Sequence, residues 1–380
     1  MKTQWMLIML LLLSVTGCSS RESGAGVQRT SDGAPRVPEI SRLRLPVGFK
    51  IDAYATDLDS PRLMALSPDG RLFVTEMGAG RVTILPNSGG FASSHITYAS
   101  GLNQPHGIAF HGGYLYVAET NRVVRFPYRN GDNSGRSKEV VISGIPAGGR
   151  HFTRTISFGP DGRLYLSVGS SCNVCVESNP QRAAVSRYNA DGTGKAIIAT
   201  GLRNAVGHAW NPSTGQLWVT DNGRDYLGDN TPPDEVDVIV SGGFYGWPYA
   251  YGNRLPDPQF GSRSPAKVRS TIPPKIAIQA HSAPLGLTFY TGNAFPQEYR
   301  GNLFIAYHGS WNRSVPTGYK VVRFNIRGEN VVGGQKDFIT GWYTAGSAWG
   351  RPVGILVGRQ GELYITDDTG GRVYIVTYGR

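Results

Sequence analysis

Histidines, arginines and short acidic clusters recur along this chain at the ends of β-rich pairs. In GLRNAVGHAWNPSTGQLWVTDNGRD, residues 201–225, Arg203-Asn204 precede the first β-rich run, and Asp221-Asn222-Gly223-Arg224-Asp225 follow the second. Elsewhere the position before a first run holds Arg62, His106, His151 with Arg154, His281 with Ser282, or Arg351. The position after a second run holds Glu76, Glu119, Ser170-Ser171, the segment from His308 to Arg313, or Asp367-Asp368. A neutral histidine can take a proton from a hydroxyl. Arginines bind carboxylates through paired N–H donors. The set therefore suits a polyanionic ligand and a proton-transfer step, provided that a scaffold gathers the segments.

The scaffold is legible as an internal repeat. LMALSPDGRLFVTEMGAGRVTIL begins at Leu63, GIAFHGGYLYVAETNRVVRF at Gly107 and TISFGPDGRLYLSVGSS at Thr155. The stretch from Gly201, the longer LGLTFYTGNAFPQEYRGNLFIAYHGSWNR from Leu285 and VGILVGRQGELYITDDTGGRVYIV from Val353 complete the series of six. Pro-Asp-Gly, Gly-Gly or an equivalent turn joins each pair. Six copies spaced by tens of residues predict an all-β, six-bladed β-propeller with four-stranded blades. The last copy stops near its third strand, at Tyr378, whereas GFKIDAYATDL from Gly48 is left over at the front. The N-terminal strand is therefore expected to close the last blade, protecting its edge. With strands lettered A to D from axis to rim, the segment entering A and the loop leaving B share one face near the axis. All the polar clusters above should then meet over the channel.

Composition agrees with this class. The chain has 380 residues with 51 Gly, 24 Pro, 7 Trp, 19 Tyr and 14 Phe, a mixture suited to many strands and turns. The formal charge of +11 comes from scattered Lys and Arg without a long run, and no nucleic-acid-binding motif is present, so nucleic acid is not an expected partner. Lys2 precedes an apolar stretch from Trp5 to Val15, too short to span a membrane, followed by Thr16-Gly17-Cys18. Residues 1–17 read as a signal peptide, and the small residues before Cys18 resemble a bacterial lipobox, which implies a lipid on the Cys18 sulfur. Ser19-Ser20 lack a retaining aspartate, so the expected location is the periplasmic side of the outer membrane. Residues 18–43, rich in polar groups, Gly, Ser and Pro, read as a disordered tether, with the propeller over 44–380. Cys172 and Cys175 read as a local disulfide in an exported protein, because no second pair exists to complete four metal ligands.

GLRN before a strand, DEVDVIVSGGFYGWP from Asp234, APLGLTFYTGNAFPQEYRGNLFIA from Ala283 and the GRHFTR segment together resemble the glucose/sorbosone dehydrogenase family over residues 43 to 378. The resemblance implies a soluble-type aldose dehydrogenase dependent on pyrroloquinoline quinone (PQQ) and Ca2+, oxidising an aldose or aldehyde sugar (sorbosone-like) to a lactone or acid. It implies His151 as catalytic base, Arg203 and Asn204 on the quinone oxygens, and Arg351 on the cofactor carboxylates. Gly223 and Arg224 match positions whose backbone carbonyls hold calcium, and His106 lies near a cofactor-binding glutamine position. The chain departs from the pattern at Arg150, where the family often has an acid, and at His308, where it has a lysine; Arg313 is a nearby substitute cation. Cys-x-x-Cys-His is absent, since Val176 follows Cys175, so electrons are expected to leave through an external carrier. Two other functions fit a propeller: a non-enzymatic glycan- or protein-binding surface, and a calcium-dependent lactonase.

Overall fold

The computed structural model describes residues 35–379. The expected leader over 1–17, Cys18 with its expected lipid, and most of the expected tether lie outside the described residues. Six sheets of antiparallel strands form the blades; the third sheet carries an extra short parallel strand, Gly243–Phe244, on its outer edge. The innermost strands are Pro61–Leu66, Gly107–His111, Arg154–Phe158, Ala205–Trp210, Pro284–Phe289 and Pro352–Val357, here blades one to six. Each packs on the next, and the last packs on the first, so the ring is closed.

Closure occurs in blade six. Its strands run Pro352–Val357, Leu363–Asp367, Arg372–Tyr378 and then Phe49–Ala55, with Phe49 opposite Tyr378. The Phe49 ring meets Phe295, Tyr299, Phe338 and Tyr378 edge-on at 4.8 to 5.0 Å between centroids, which fixes the strand to blade five as well. The expected tether ends earlier than residue 43. Pro38–Arg42 forms a 3-10 turn, Leu43 is buried with Phe338 and Trp342, and Arg44 bridges Thr340. Ile40 and Leu43 are apolar positions in an otherwise polar stretch, and burying them against the rim holds the segment down. Among the described residues no helix is long and apolar enough to cross a membrane.

Second strands are covered on both faces by neighbouring blades. LFVTE, LYLSV, LWVTD, LFIAY and LYITD are therefore buried at every position. The axis is tighter still. A Cβ on Gly207, Gly286 or Gly354 would lie 2.1, 2.5 or 2.7 Å from a backbone oxygen of the next blade's inner strand, so only glycine fits there. Threonines cross the same seams. Thr220 Oγ1 accepts from Gly207 N–H and donates to Leu285 O, and Thr366 Oγ1 accepts from Gly354 N–H and donates to Arg62 O.

Candidate active site above the channel

On the expected face a cavity of about 190 Å3 opens between blades three, four and five, lined by His151, Arg203, Asn204, Gly223, Asp225 and Trp311 among others. These residues come from segments entering first strands and loops leaving second strands. Pairing of Ala205 with Asp221 places the two polar clusters of the GLRN stretch side by side.

His151 precedes the inner strand of blade three. Its Nδ1 lies 2.9 Å from Ser170 O and 3.0 Å from Ser170 Oγ. A carbonyl oxygen only accepts, so Nδ1 carries the hydrogen and Nε2 keeps its lone pair. The Ser170 hydroxyl donates to Cys172 O at 2.7 Å, which leaves Oγ free to accept. Burial lowers the His151 pKa to about 3, helped by the positive charges of Arg203, Arg150 and Arg154. The imidazole is therefore neutral near pH 7. Arg150 does not orient the ring; Ser170 does.

Arg203 is buried and almost fully engaged. Nε donates to Asn173 O at 2.9 Å, one terminal nitrogen to Asn222 O at 3.1 Å, and the other to Asn173 Oδ1 at 3.0 Å and Asp225 Oδ2 at 3.2 Å. A guanidinium has five N–H donors, so a single N–H is left over. The Asn204 side-chain amide has no hydrogen-bond partner among the described residues and lines the cavity. Asp234 fastens the floor: its oxygens accept from Gly223 N–H at 2.8 Å and Ala283 N–H at 2.9 Å. Among the described residues neither the Gly223 nor the Arg224 carbonyl oxygen accepts a hydrogen bond. The Arg224 side chain turns inward to Asp257, 2.7 Å away.

The remaining expected cations form a second neighbourhood on blades five, six and one. Arg62 is paired with Asp368, which also lies 2.9 Å from His308 Nε2. Arg351 donates from Nε to His308 O at 3.0 Å and from a terminal nitrogen to Gly309 O at 2.5 Å, with its guanidinium 5.4 Å from the Tyr319 ring centre. Neither His308 nor Arg351 lines the His151 cavity. His106 is fully buried; Nδ1 lies 3.2 Å from Arg154 O, while Nε2 has no partner, and neither has Arg62 Nε. Arg154 in turn donates to His151 O at 2.8 Å, so the two neighbourhoods are joined through blade three.

Several expectations change here. Arg313 is not aimed at the cavity: Nε donates to Asp229 O and a terminal nitrogen to Asn230 Oδ1, both at 2.9 Å, which clamps a rim loop. Glu76, Glu119 and Asp367, read as site acids, are latches. Glu76 accepts from Asp59 N–H at 2.7 Å, Glu119 from Asn103 N–H at 2.6 Å, and Asp367 from Arg351 N–H at 2.8 Å. Asp221 does the same for Arg203 N–H at 2.9 Å and Asn204 N–H at 2.6 Å. A carboxylate at the end of a second strand thus satisfies the backbone of the segment entering the first. Cys172 and Cys175 form a disulfide. Glu177 lies beside them, but bonded sulfurs are not thiolate ligands, so the trio is no metal site. The reading of the residues passed over Asn173 and Asp225 as partners of Arg203; only the tight Cys-x-x-Cys spacing around Asn173 hinted at a fixed loop.

The profile of the family described as "Glucose / Sorbosone dehydrogenase" matches residues 58–374. The chain belongs to the glucose/sorbosone dehydrogenase family. A family relative in Coprinopsis cinerea, named pyrroloquinoline quinone-dependent pyranose dehydrogenase, is 25% identical over 416 residues, covering 90% of this chain but only 55% of that protein. An "Uncharacterized protein" of Borreliella burgdorferi is 32% identical over 353 residues, covering 89% of this chain and 91% of that one. Among solved structures, the holo form of the Coprinopsis cinerea pyranose dehydrogenase PQQ domain superposes with a TM-score of 0.76 at 22% identity, covering 88% of this chain and 97% of that one. The PQQ-bound aldose sugar dehydrogenase of Streptomyces coelicolor superposes with a TM-score of 0.63 at 21% identity, covering 88% and 99%. At these identities the structural likeness carries the six-bladed fold.

Proposed function

We propose that this family member is a PQQ- and calcium-dependent sugar dehydrogenase that oxidises an aldose or aldehyde sugar, with His151 as general base. The single observation that carries the reading is a neutral histidine, oriented by Ser170, facing a cavity shared with Arg203, Asn204 and the Gly223 carbonyl segment. The names of the relatives support the cofactor.

The residues fit both groups. The unbonded Gly223 and Arg224 carbonyls are hard donors for calcium. The Asn204 amide and the spare Arg203 N–H, both at the cavity, are donors awaiting an acceptor-rich ligand. When bound, PQQ supplies the two-electron acceptor and calcium a Lewis acid. His151 Nε2 takes the proton of the sugar hydroxyl. Ser170 keeps Nδ1–H directed away, so the lone pair faces the cavity. Burial and the adjacent arginines disfavour the imidazolium, so the proton is passed on to solvent before the next turnover. Arg203 and Asn204 position the ligand and offer fixed dipoles to developing charge, which is where electrostatic catalysis gains most.

Titration of the purified protein with PQQ and calcium tests this directly. The expected result is saturable binding, seen as a shift in quinone absorbance, and dye reduction with at least one aldose in a sugar panel. Absence of binding and turnover contradicts the reading. The signal peptide and the Cys18 lipid belong to the same proposal and rest on the sequence: labelled palmitate is expected in the wild-type protein and not in Cys18→Ala.

A further inference from the structure

We infer that Asn173 is a positioning residue for Arg203, and that the Cys172–Cys175 disulfide makes this positioning redox-sensitive. The inference rests on the sugar-dehydrogenase reading for its consequence, but the geometry stands without it.

Asn173 sits inside the ring closed by the disulfide. Its carbonyl accepts from Arg203 Nε at 2.9 Å and from Trp247 Nε1 at 3.3 Å. Its Oδ1 accepts from Arg203 at 3.0 Å and from Asp225 N–H at 2.8 Å, and its Nδ2 donates to Asp225 O at 3.2 Å. Asp225 continues the chain, with one oxygen on Arg203 and the other accepting from Asn312 Nδ2 at 2.6 Å. Loops from blades three, four and five are thereby tied to one asparagine. The same ring reaches the base, because Cys172 O accepts the Ser170 hydroxyl that, with its own carbonyl, holds His151.

A four-residue disulfide ring removes conformational freedom that a linear loop retains. An arginine has many rotamers, and Arg203 keeps the observed one because two Asn173 oxygens stand in fixed places. The ring is partly exposed, with Cys172 and Cys175 both half-buried, which gives a small dithiol access to it. Reduction transfers two electrons and two protons from the dithiol, breaking the S–S bond, leaving two thiols and closing the reductant to its own disulfide. The Glu177 carboxylate, 3.8 Å from Cys175 Sγ, would then oppose a thiolate there. The loop loses its closure, and the shared support of Arg203 and His151 is relaxed.

The experiment has two arms. In the first, the terminal guanidinium N–H resonance of Arg203 in the apo-protein, assigned by its loss in Arg203→Lys, is followed by hydrogen exchange. It should exchange at least about tenfold faster in Asn173→Ala, in Cys172→Ser/Cys175→Ser and in dithiothreitol-treated wild type, with thermal midpoints recorded alongside. Asn173→Asp, which keeps both acceptor oxygens, should restore slow exchange. In the second arm, PQQ affinity with calcium should fall at least about tenfold in the same proteins, and dithiothreitol should not weaken it further in the double-serine variant. Unchanged exchange of that terminal N–H in Asn173→Ala and the double variant overturns the positioning. Changed exchange with no PQQ binding by the wild type overturns the dehydrogenase reading and leaves the positioning intact. Changed exchange with unchanged PQQ affinity overturns the redox control of the site.

Discussion

At the scale of single residues, the site is decided by which nitrogen of His151 is free. Ser170 takes Nδ1–H, and the surrounding arginines and burial keep the ring unprotonated. The proposed base is therefore neutral at pH 7. The pKa is lowered to about 3, so the folded apo-protein should show no His151 titration between pH 5 and 8 in histidine NMR spectra, while an exposed histidine inflects near its ordinary value. An inflection near pH 6.5 would contradict the site electrostatics. That His151, Arg203 and Asn204 line one cavity was legible in the sequence, because all three sit at strand entrances that the repeat brings to one face. Asn173 was not, because its role depends on a loop geometry that residue types do not encode. Arg313 misled for the converse reason: a cation near the expected place finds loop oxygens closer than the cavity.

At the scale of elements, the repeat places one carboxylate at the end of a second strand in four blades, and this explains why acids crowd the top face without doing chemistry. The cost is concentrated in blade four. Its third strand, Asp234–Val238, buries Asp234, Glu235 and Asp237 beside Asp221. Burial raises the pKa of Asp221 and of Asp234 to about 7 each, and pushes Glu235 and Asp237 upward too. These groups hold protons in the folded state that they release when unfolded, so their contribution is fully present below about pH 4 and is lost as pH rises through 7. Buried His106, His151 and His208 act in the opposite sense below pH 6.5, because the unfolded chain takes up protons that the fold refuses. The two slopes offset each other between pH 4 and 6.5, and only the acids act above it. The calcium-free protein should therefore lose thermal stability from pH 6.5 to 8.5, and Glu235→Gln should flatten that decline. A midpoint that rises over the same range, or an unchanged slope in Glu235→Gln, would show that these carboxyls are ionised in the fold. The alternation of strands and turns was readable as blades, but the latching role of the acids was not, since a buried and an exposed carboxylate look alike in a sequence.

For the whole molecule, closure is what turns scattered clusters into a site. Blade six is completed by Phe49–Ala55, strands from opposite ends of the chain, and the ring then holds residues 151, 203 and 223 at one cavity. The leftover N-terminal strand and the truncated last repeat made this topology legible, because an unpaired edge on each side demands a partner. The docking of Pro38–Leu43 on the rim was missed, as two apolar residues in a polar stretch give too weak a pattern. What the closed ring is claimed to deliver is proton removal at a sugar hydroxyl by a histidine from blade three, beside ligand-binding groups from blade four. The most direct test is the first-turnover rate of a reactive aldose in wild type and His151→Ala, both loaded with PQQ and calcium. The account predicts that His151→Ala binds PQQ as the wild type does but reacts about 10²- to 10⁴-fold more slowly. Equal first-turnover rates in the two loaded proteins would contradict it.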